Sequence, residues 1–369
     1  MKDVNKVLSN IIKEKDGFWF GEAINVKQAN LDVVIPIIRD KKGKRKYNLL
    51  AEARDIEIRD TGKIDNVYVK NNEDKPLLIT KGDIFQGKTQ ERAAVHTYII
   101  EPGKGCNIHV NCVHHSRGIS SNAPMTYAGK APYYVDFSNQ GKTWASIMSC
   151  GKVGETTTQA DYWAGTTWYT QDEIKPDNSA GPAPAMAGNE FTSGGIIQDR
   201  NLFSQAVFTS QQQAGDVRVG YYSTLGTPGG VSHSKGSDDL VSQLQDKKKK
   251  MENVLKMIPR KENQVGVIFI DNRKIRALEA YDLESAWAFI QEDVISKEGS
   301  DFIEDPEVDL FDFVPHRLRA YLDKKLDGFE IKTLWEEGNY KVVELRNKEM
   351  IGEMALIGDD FIHLTLVRM

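Results

Sequence analysis

GDIFQGKT, residues 82–89, satisfies the phosphate-loop pattern G-x-x-x-x-G-K-[ST] at every position. Its reading decides the fold. As a phosphate loop it would join a strand to a helix in a parallel α/β domain. As a tight turn leading soon into a strand it would belong to an antiparallel one. In the first reading the glycines let backbone N–H groups wrap the phosphates, Lys88 reaches the terminal phosphates and Thr89 holds magnesium. VIFID, residues 267–271, even offers Asp271 as the acidic strand end that supports magnesium in such enzymes. The residues downstream point the other way. A phosphate loop must lead into a helix whose N-terminus faces the phosphates. Here QERAAVHTYIIEPGKG follows, with β-branched Val95, Thr97, Ile99 and Ile100 ahead of a Pro-Gly turn. Asp83 would also set a negative charge beside the phosphates. The predicted element is a hairpin, with 94–100 pairing to 106–113 across PGKG.

Working outward, β signals dominate. FWFGEAIN (18–25) is aromatic, and LDVVIPIIRD (31–40) is strand-like but carries Pro36. Proline cannot donate to a ladder, so this strand is expected at an edge or a bulge. RDIEIRD, DNVYVK and PLLIT follow as short strands between 54 and 80, separated by turn-forming TGK and NNEDK. QVGVIFIDN (264–272) is apolar on both faces, like a central buried strand, and KIRALEAY (274–281) can pair with it. YKVVELRN, MIGEMALIG and FIHLTLVRM close the chain as a meander. Helical spacing is found at residues 2–14, 237–258, 282–296 and 316–325. The expected fold is α+β: a strand-rich, mainly antiparallel core with three or four flanking helices.

Residues 120–235 differ in composition. They are rich in Gly, Ser, Thr, Asn, Gln and Ala and hold Trp144, Trp163 and Trp168. Aromatics of this size are out of place in a disordered linker, so the stretch reads as an ordered, loop-rich insertion. It divides the chain into a strand-rich part at 1–119 and a helix–strand part at 236–369, which together form one fold.

Composition excludes several function classes. The formal net charge is −5 and the pI is near 5.9, without the basic excess that marks a nucleic-acid footprint. No apolar run approaches the roughly 20 residues that span a bilayer. MKDVNKVLSNIIKEKDG is too polar for a signal peptide. Three cysteines, an odd and low count, argue against a disulfide framework and for a reducing, cytoplasmic setting.

CNIHVNCVHH (106–115) crowds metal-ligand residue types together. On a strand, Cys106 and Cys112 would lie about 20 Å apart at roughly 3.3 Å per residue, too far to share an ion. Cys112 and His114, joined by His96 from the neighbouring strand, are the candidate metal ligands, given that zinc takes three protein ligands and a water, or four. The plainer reading is a set of small polar residues in a sheet.

PLLITKGDIFQGKTQERAAV, a Pro-Gly turn and then NCVHHSRG resemble the hallmark of a family, the ADP-ribosylglycohydrolase- and rhodanese-phosphatase-superfamily-associated protein domain family. The hallmark G-[DE]-x-[LF]-x-G-x-x-Q-x-R, with a later Cys-Val and Arg, falls on Gly82, Asp83, Phe85, Gly87, Gln90, Arg92, Cys112 and Arg117. The resemblance returns at NQVGVIFIDNRKIRALEAYD and at MIGEMALIGDDFIHLTL. His114 departs from the acidic residue expected there. Lys88 and Thr89 fall at variable positions, so the resemblance makes the phosphate-loop match incidental.

The family name records association with ADP-ribose chemistry and assigns no activity. What the resemblance implies is a ligand site at Gly82, Asp83, Gly87, Gln90, Arg92 and Arg117, since arginine forks suit phosphate and carboxylate. The alternative is that the arginines brace the turn by bonding backbone carbonyls or Asp83. Two function classes follow. One is a module that binds, or binds and processes, a nucleotide-derived phosphorylated small molecule such as an ADP-ribose-like compound. The other is a noncatalytic homo-oligomer or interaction protein using edge strands and the tryptophan-bearing insertion. No nucleophile–base pair and no cofactor can be named, because spacing in sequence does not fix distance in space.

Overall fold

A computed structural model describes residues 2–26, 33–63, 65–88, 90–112, 121–131, 252–271, 274–298 and 328–368, with isolated helical positions at 241–249 and 322–326. The elements, in chain order, are α1 (Lys2–Ile12), β1 (Phe18–Phe20), β2 (Ile24–Asn25), β3 (Val33–Arg39), β4 (Asn48–Leu49), β5 (Ile56–Asp60) and β6 (Asn66–Asn71). There follow β7 (Leu77–Ile79), β8 (Asp83–Gly87), β9 (Glu91–Ala94), β10 (Tyr98–Ile100), β11 (Gly105–Cys112) and β12 (Met125–Lys130). The C-terminal part adds α2 (Glu252–Met257), β13 (Gln264–Asp271), β14 (Lys274–Tyr281), α3 (Glu284–Glu298), β15 (Glu330–Glu337), β16 (Tyr340–Arg346), β17 (Met350–Ile357) and β18 (Asp360–Arg368).

These strands make three sheets. A nine-stranded sheet runs β1-β3-β13-β14-β18-β17-β16-β15, with β2 also on β3. A six-stranded sheet runs β12-β8-β9-β11-β6-β5, and a three-stranded one β10-β7-β4. Among the described residues the strand pairs are antiparallel except β4 with β7. The strand-rich α+β class therefore holds, but three or four flanking helices are not found. The described residues contain two full helices, α1 and α3, and the short α2. Most of 316–325 and of 120–235 falls outside the described residues.

The opening motif is a hairpin. GDIFQG forms β8, which turns back onto β9 with Ile84 opposite Ala93 and Phe85 opposite Arg92. Gly87 N–H donates to Gln90 O at 3.0 Å and closes the turn. A strand, not a helix, follows Gln90, so the phosphates would meet no helix N-terminus and the phosphate-loop reading falls. Asp271 likewise ends β13 opposite Lys274 in a second hairpin. The hairpin partners differ from expectation. Ala94 pairs with Val110, but Tyr98–Ile100 pair with β7, because the chain bends at Val95–His96 and passes into another sheet.

Pro36 is a second correction. β3 is interior, flanked by β13 on one side and by β1 and β2 on the other. The proline falls between the ends of β1 and β2, where its missing donor breaks no ladder bond, and its carbonyl still accepts from Gly21 N–H at 2.9 Å.

The nine-stranded sheet has two unlike faces. Ile35, Ile37, Ile268, Leu278, Met354, Leu364 and Leu366 pack with Val4, Leu8, Ile11 and Ile12 of α1. The opposite face packs Val34, Phe269, Ala277 and Val367 with Trp287 and Ile290 of α3 and with Leu78, Ile84, Ala93 and Ile99 of the smaller sheets. Fully burying each such side chain stabilises by about 1.5–3 kcal/mol. This second face is the junction between the hallmark strands and the C-terminal sheet.

Candidate functional site

The junction is not purely apolar. Strand register aligns Glu344, Glu353, Thr365 and Glu279 in one row across β16, β17, β18 and β14, and all four are buried. His363 and Tyr281 pair one step along. Carboxylates this deep must be compensated, because an unpaired buried charge is costly. The hallmark side supplies the compensation at two points.

At the first, Lys130 of β12 reaches Asp83 at 2.9 Å and lies 4.0 Å from Glu279. It also donates to Thr80 Oγ1. Burial opposes the lysine's charge, but Asp83 and then Glu279 outweigh it, and the pKa is raised. Asp83 accepts as well from Thr80 N–H at 2.7 Å and Thr80 Oγ1 at 2.9 Å. Tyr281 donates to Glu279 at 3.0 Å, and His363 Nε2 stands 3.5 Å from the same carboxylate. Tyr127 donates to Asp293 of α3 at 3.0 Å. Burial pushes both phenols well above their ordinary pKa, so they stay protonated donors.

At the second point, Glu353 meets the bend between β9 and β10. Its Oε1 bonds His96 Nδ1 at 2.8 Å, and its Oε2 accepts Thr97 N–H at 2.8 Å. Lys81 Nζ lies 3.6 Å away. Burial alone would raise this carboxyl, but the Lys81 charge, the His96 contact and the Thr97 N–H reverse the sign and hold its pKa at about 2. The His96 side chain is 20 % exposed while Glu353 is 3 % exposed, so the pair spans from interior to surface.

The residues singled out from sequence are placed as follows. Gly82 adopts φ +84 in the turn before β8, a left-handed conformation that favours glycine, and its backbone bonds Ala94 O and Ala131 N–H. Gly87 sits where a Cβ would come within 3.0 Å of Gln90 O. Asp83 turns inward to Lys130. Gln90 is buried and its Oε1 accepts Glu91 N–H at 3.1 Å. Arg92 is 0 % exposed and holds Asp60 at 3.2 Å and Lys63 O at 3.4 Å, tying β9 to β5. It braces the sheet through Asp60, not through Asp83. A ligand reaching Arg92 would have to displace that pair.

Arg117 and His114 lie outside the described residues, as does the side chain of Cys112. The register sets Cys112 opposite Arg92, four residues along the chain from His96, about 13 Å at roughly 3.3 Å per residue. His96 turns to Glu353 instead. Among the described residues no group of three His, Cys, Asp or Glu could hold a metal ion.

Sequence reasoning missed Lys81, Lys130, Glu279, Glu353 and His363. A signal existed: Glu353 in MIGEMALI and His363 with Thr365 in FIHLTLV are polar residues inside apolar runs of strands expected to be buried. Two clefts, of about 620 and 600 Å³, are lined elsewhere, by Lys248, Glu252 and Lys256 near α2 and by Leu8 and Phe329 near α1.

No curated protein and no solved structure matches the chain. The later stretches of resemblance, around β13–β14 and β17–β18, lie beyond the part of the chain that a family model covers. That part holds Lys81, Asp83, Arg92, His96 and Lys130, but not their partners Glu279 and Glu353: residues 21–132 match the ARG and Rhodanese-Phosphatase-superfamily-associated Protein domain.

Proposed function

We propose that the protein binds a nucleotide-derived phosphorylated small molecule, such as an ADP-ribose-like compound, at the rim of the junction beside His96. One observation carries this reading. Within the matched domain, Asp83, Gln90 and Arg92 are turned into the fold, while His96 is oriented by a buried ionised carboxylate and still reaches solvent. A side chain held in this way is preorganised to meet a polar ligand. The association of the family name with ADP-ribose chemistry supports the ligand class. Gly82, Gly87 and Gln90 then shape the turn that carries this bend, and Arg117 remains the hallmark residue proposed to reach the phosphate.

Edge-to-edge assembly finds less support. β15, the edge strand of the large sheet, carries Glu330, Lys332, Glu336 and Glu337, the kind of charged edge that discourages pairing. No described helix is long and apolar enough to cross a membrane.

Native mass spectrometry of gently purified protein, before and after adding ADP-ribose, AMP or pyrophosphate, tests the reading. Retained or saturable added mass of a phosphorylated nucleotide is expected. Bare protein under every condition, in one defined oligomer, would overturn it in favour of assembly.

A further inference from the structure

We propose that His96 and Glu353 form an acid–base dyad in which His96 Nε2 is the general base for hydrolysis of a phosphoester or phosphoanhydride bond in the bound molecule. The substrate class rests on the binding reading above; the dyad rests on geometry.

A histidine becomes a directed base when one ring nitrogen is fixed by an acceptor and the other faces the reactant. The first condition is met here, and the side chain is partly open to solvent. Nδ1 lies 2.8 Å from Glu353 Oε1. In the neutral ring Nδ1 therefore carries the hydrogen, and Nε2 presents a lone pair. The carboxylate cannot swing away, because its second oxygen accepts the N–H of the very next residue, Thr97, at 2.8 Å. Glu353 also sits on β17, between β16 and β18, so the orienting group rides on the rigid sheet and the base on the bend.

The surroundings separate this from a simple ion pair. Glu353 has a counter-charge in Lys81 at 3.6 Å, so His96 is not required to neutralise it. Glu353 is ionised across the neutral range, its pKa held at about 2, and can stabilise an imidazolium without taking its proton. The 20 % exposure of the His96 side chain admits water.

The step balances as follows. A water O–H proton passes to Nε2 as the water oxygen bonds to phosphorus. The bond from phosphorus to the leaving oxygen breaks, and its electron pair stays on that oxygen. The imidazolium returns the Nε2 proton to the leaving oxygen, which restores neutral His96. Glu353 stays a carboxylate throughout and is a positioning residue.

The 369-residue chain is incubated with ADP-ribose, turnover is followed by ³¹P NMR, and affinity is measured by titration calorimetry. His96→Gln should fold, bind within a few-fold of wild type, and lose about 10²–10⁴-fold in kcat. Glu353→Gln should lower kcat with KM little changed, a split that a merely structural role would not produce. Turnover by His96→Gln at the wild-type rate overturns the dyad. So does wild-type protein that binds ADP-ribose and never cleaves it, an outcome that leaves the binding reading standing. Failure of wild type to bind ADP-ribose, AMP or pyrophosphate removes both.

Discussion

Along β14, β17 and β18 alternate side chains face opposite ways, and the two faces are built differently. Leu278, Ala280, Met354, Leu364 and Leu366 enter an apolar cluster that includes the buried side chains of α1. On the opposite face Glu279 meets Lys130, and Glu353 meets His96, Lys81 and Thr97 of the hallmark strands and their connections, with His363 beside Glu279. An apolar face of this kind tolerates hydrophobic swaps that keep its volume. The junction face accepts only partners that satisfy each charge, so it fixes which strands dock and where. Their placement at the seam between the matched domain and the C-terminal sheet is what singles the seam out for the proposed function.

The contrast can be broken at several points. Lys130→Met leaves Asp83 and Glu279 without their shared ammonium and should destabilise by about 3–5 kcal/mol in urea unfolding; a loss below about 1 kcal/mol would mean that the charges are not coupled. Leu366→Ala on the α1 face should cost about 2–5 kcal/mol as a cavity, and that loss should be the same at pH 7 and pH 4. The junction should behave otherwise. Glu353 has a folded pKa of about 2 against an ordinary 4.5, so the unfolded chain holds the proton more tightly. Its contribution is complete above about pH 4.5 and drains away as pH falls toward 2, on the order of 3 kcal/mol in all. Glu353→Gln should lack that part of the acid limb in a Tm-against-pH series, and an unchanged limb would place the acid sensitivity elsewhere. Lys88→Ala, at the exposed tip of the β8–β9 hairpin, should change stability by no more than about 0.5 kcal/mol and leave nucleotide affinity alone; a large affinity loss would revive the phosphate loop.

Local chemistry made much of this legible. β-Branched residues after Thr89 identified strand where a phosphate loop needs helix, though not the β8–β9 hairpin itself, and the closing meander was recognised as strands. QVGVIFID, apolar throughout, was recognisable as an interior strand. What failed was what depends on register. Pro36 looked like an edge marker because the sequence cannot show that its partner strand breaks into β1 and β2 there. The pairing of Tyr98–Ile100 with β7 was hidden by the bend at Val95–His96. β15, EIKTLWEE, was missed because it is half-exposed and charged, without a clean alternation. The site was the least legible part. His96 was noticed for metal chemistry, but its partner Glu353 lies 257 positions away in sequence, and only the folded register brings them together.

The most direct test is the tautomer of His96, read by ¹⁵N NMR of the imidazole at a pH where the ring is neutral. Glu353 as the fixed acceptor predicts the proton on Nδ1, the reverse of the Nε2–H form favoured by a free histidine side chain. A neutral His96 carrying its proton on Nε2 would mean that Glu353 does not orient it, and would contradict both the site and the chemistry proposed for it.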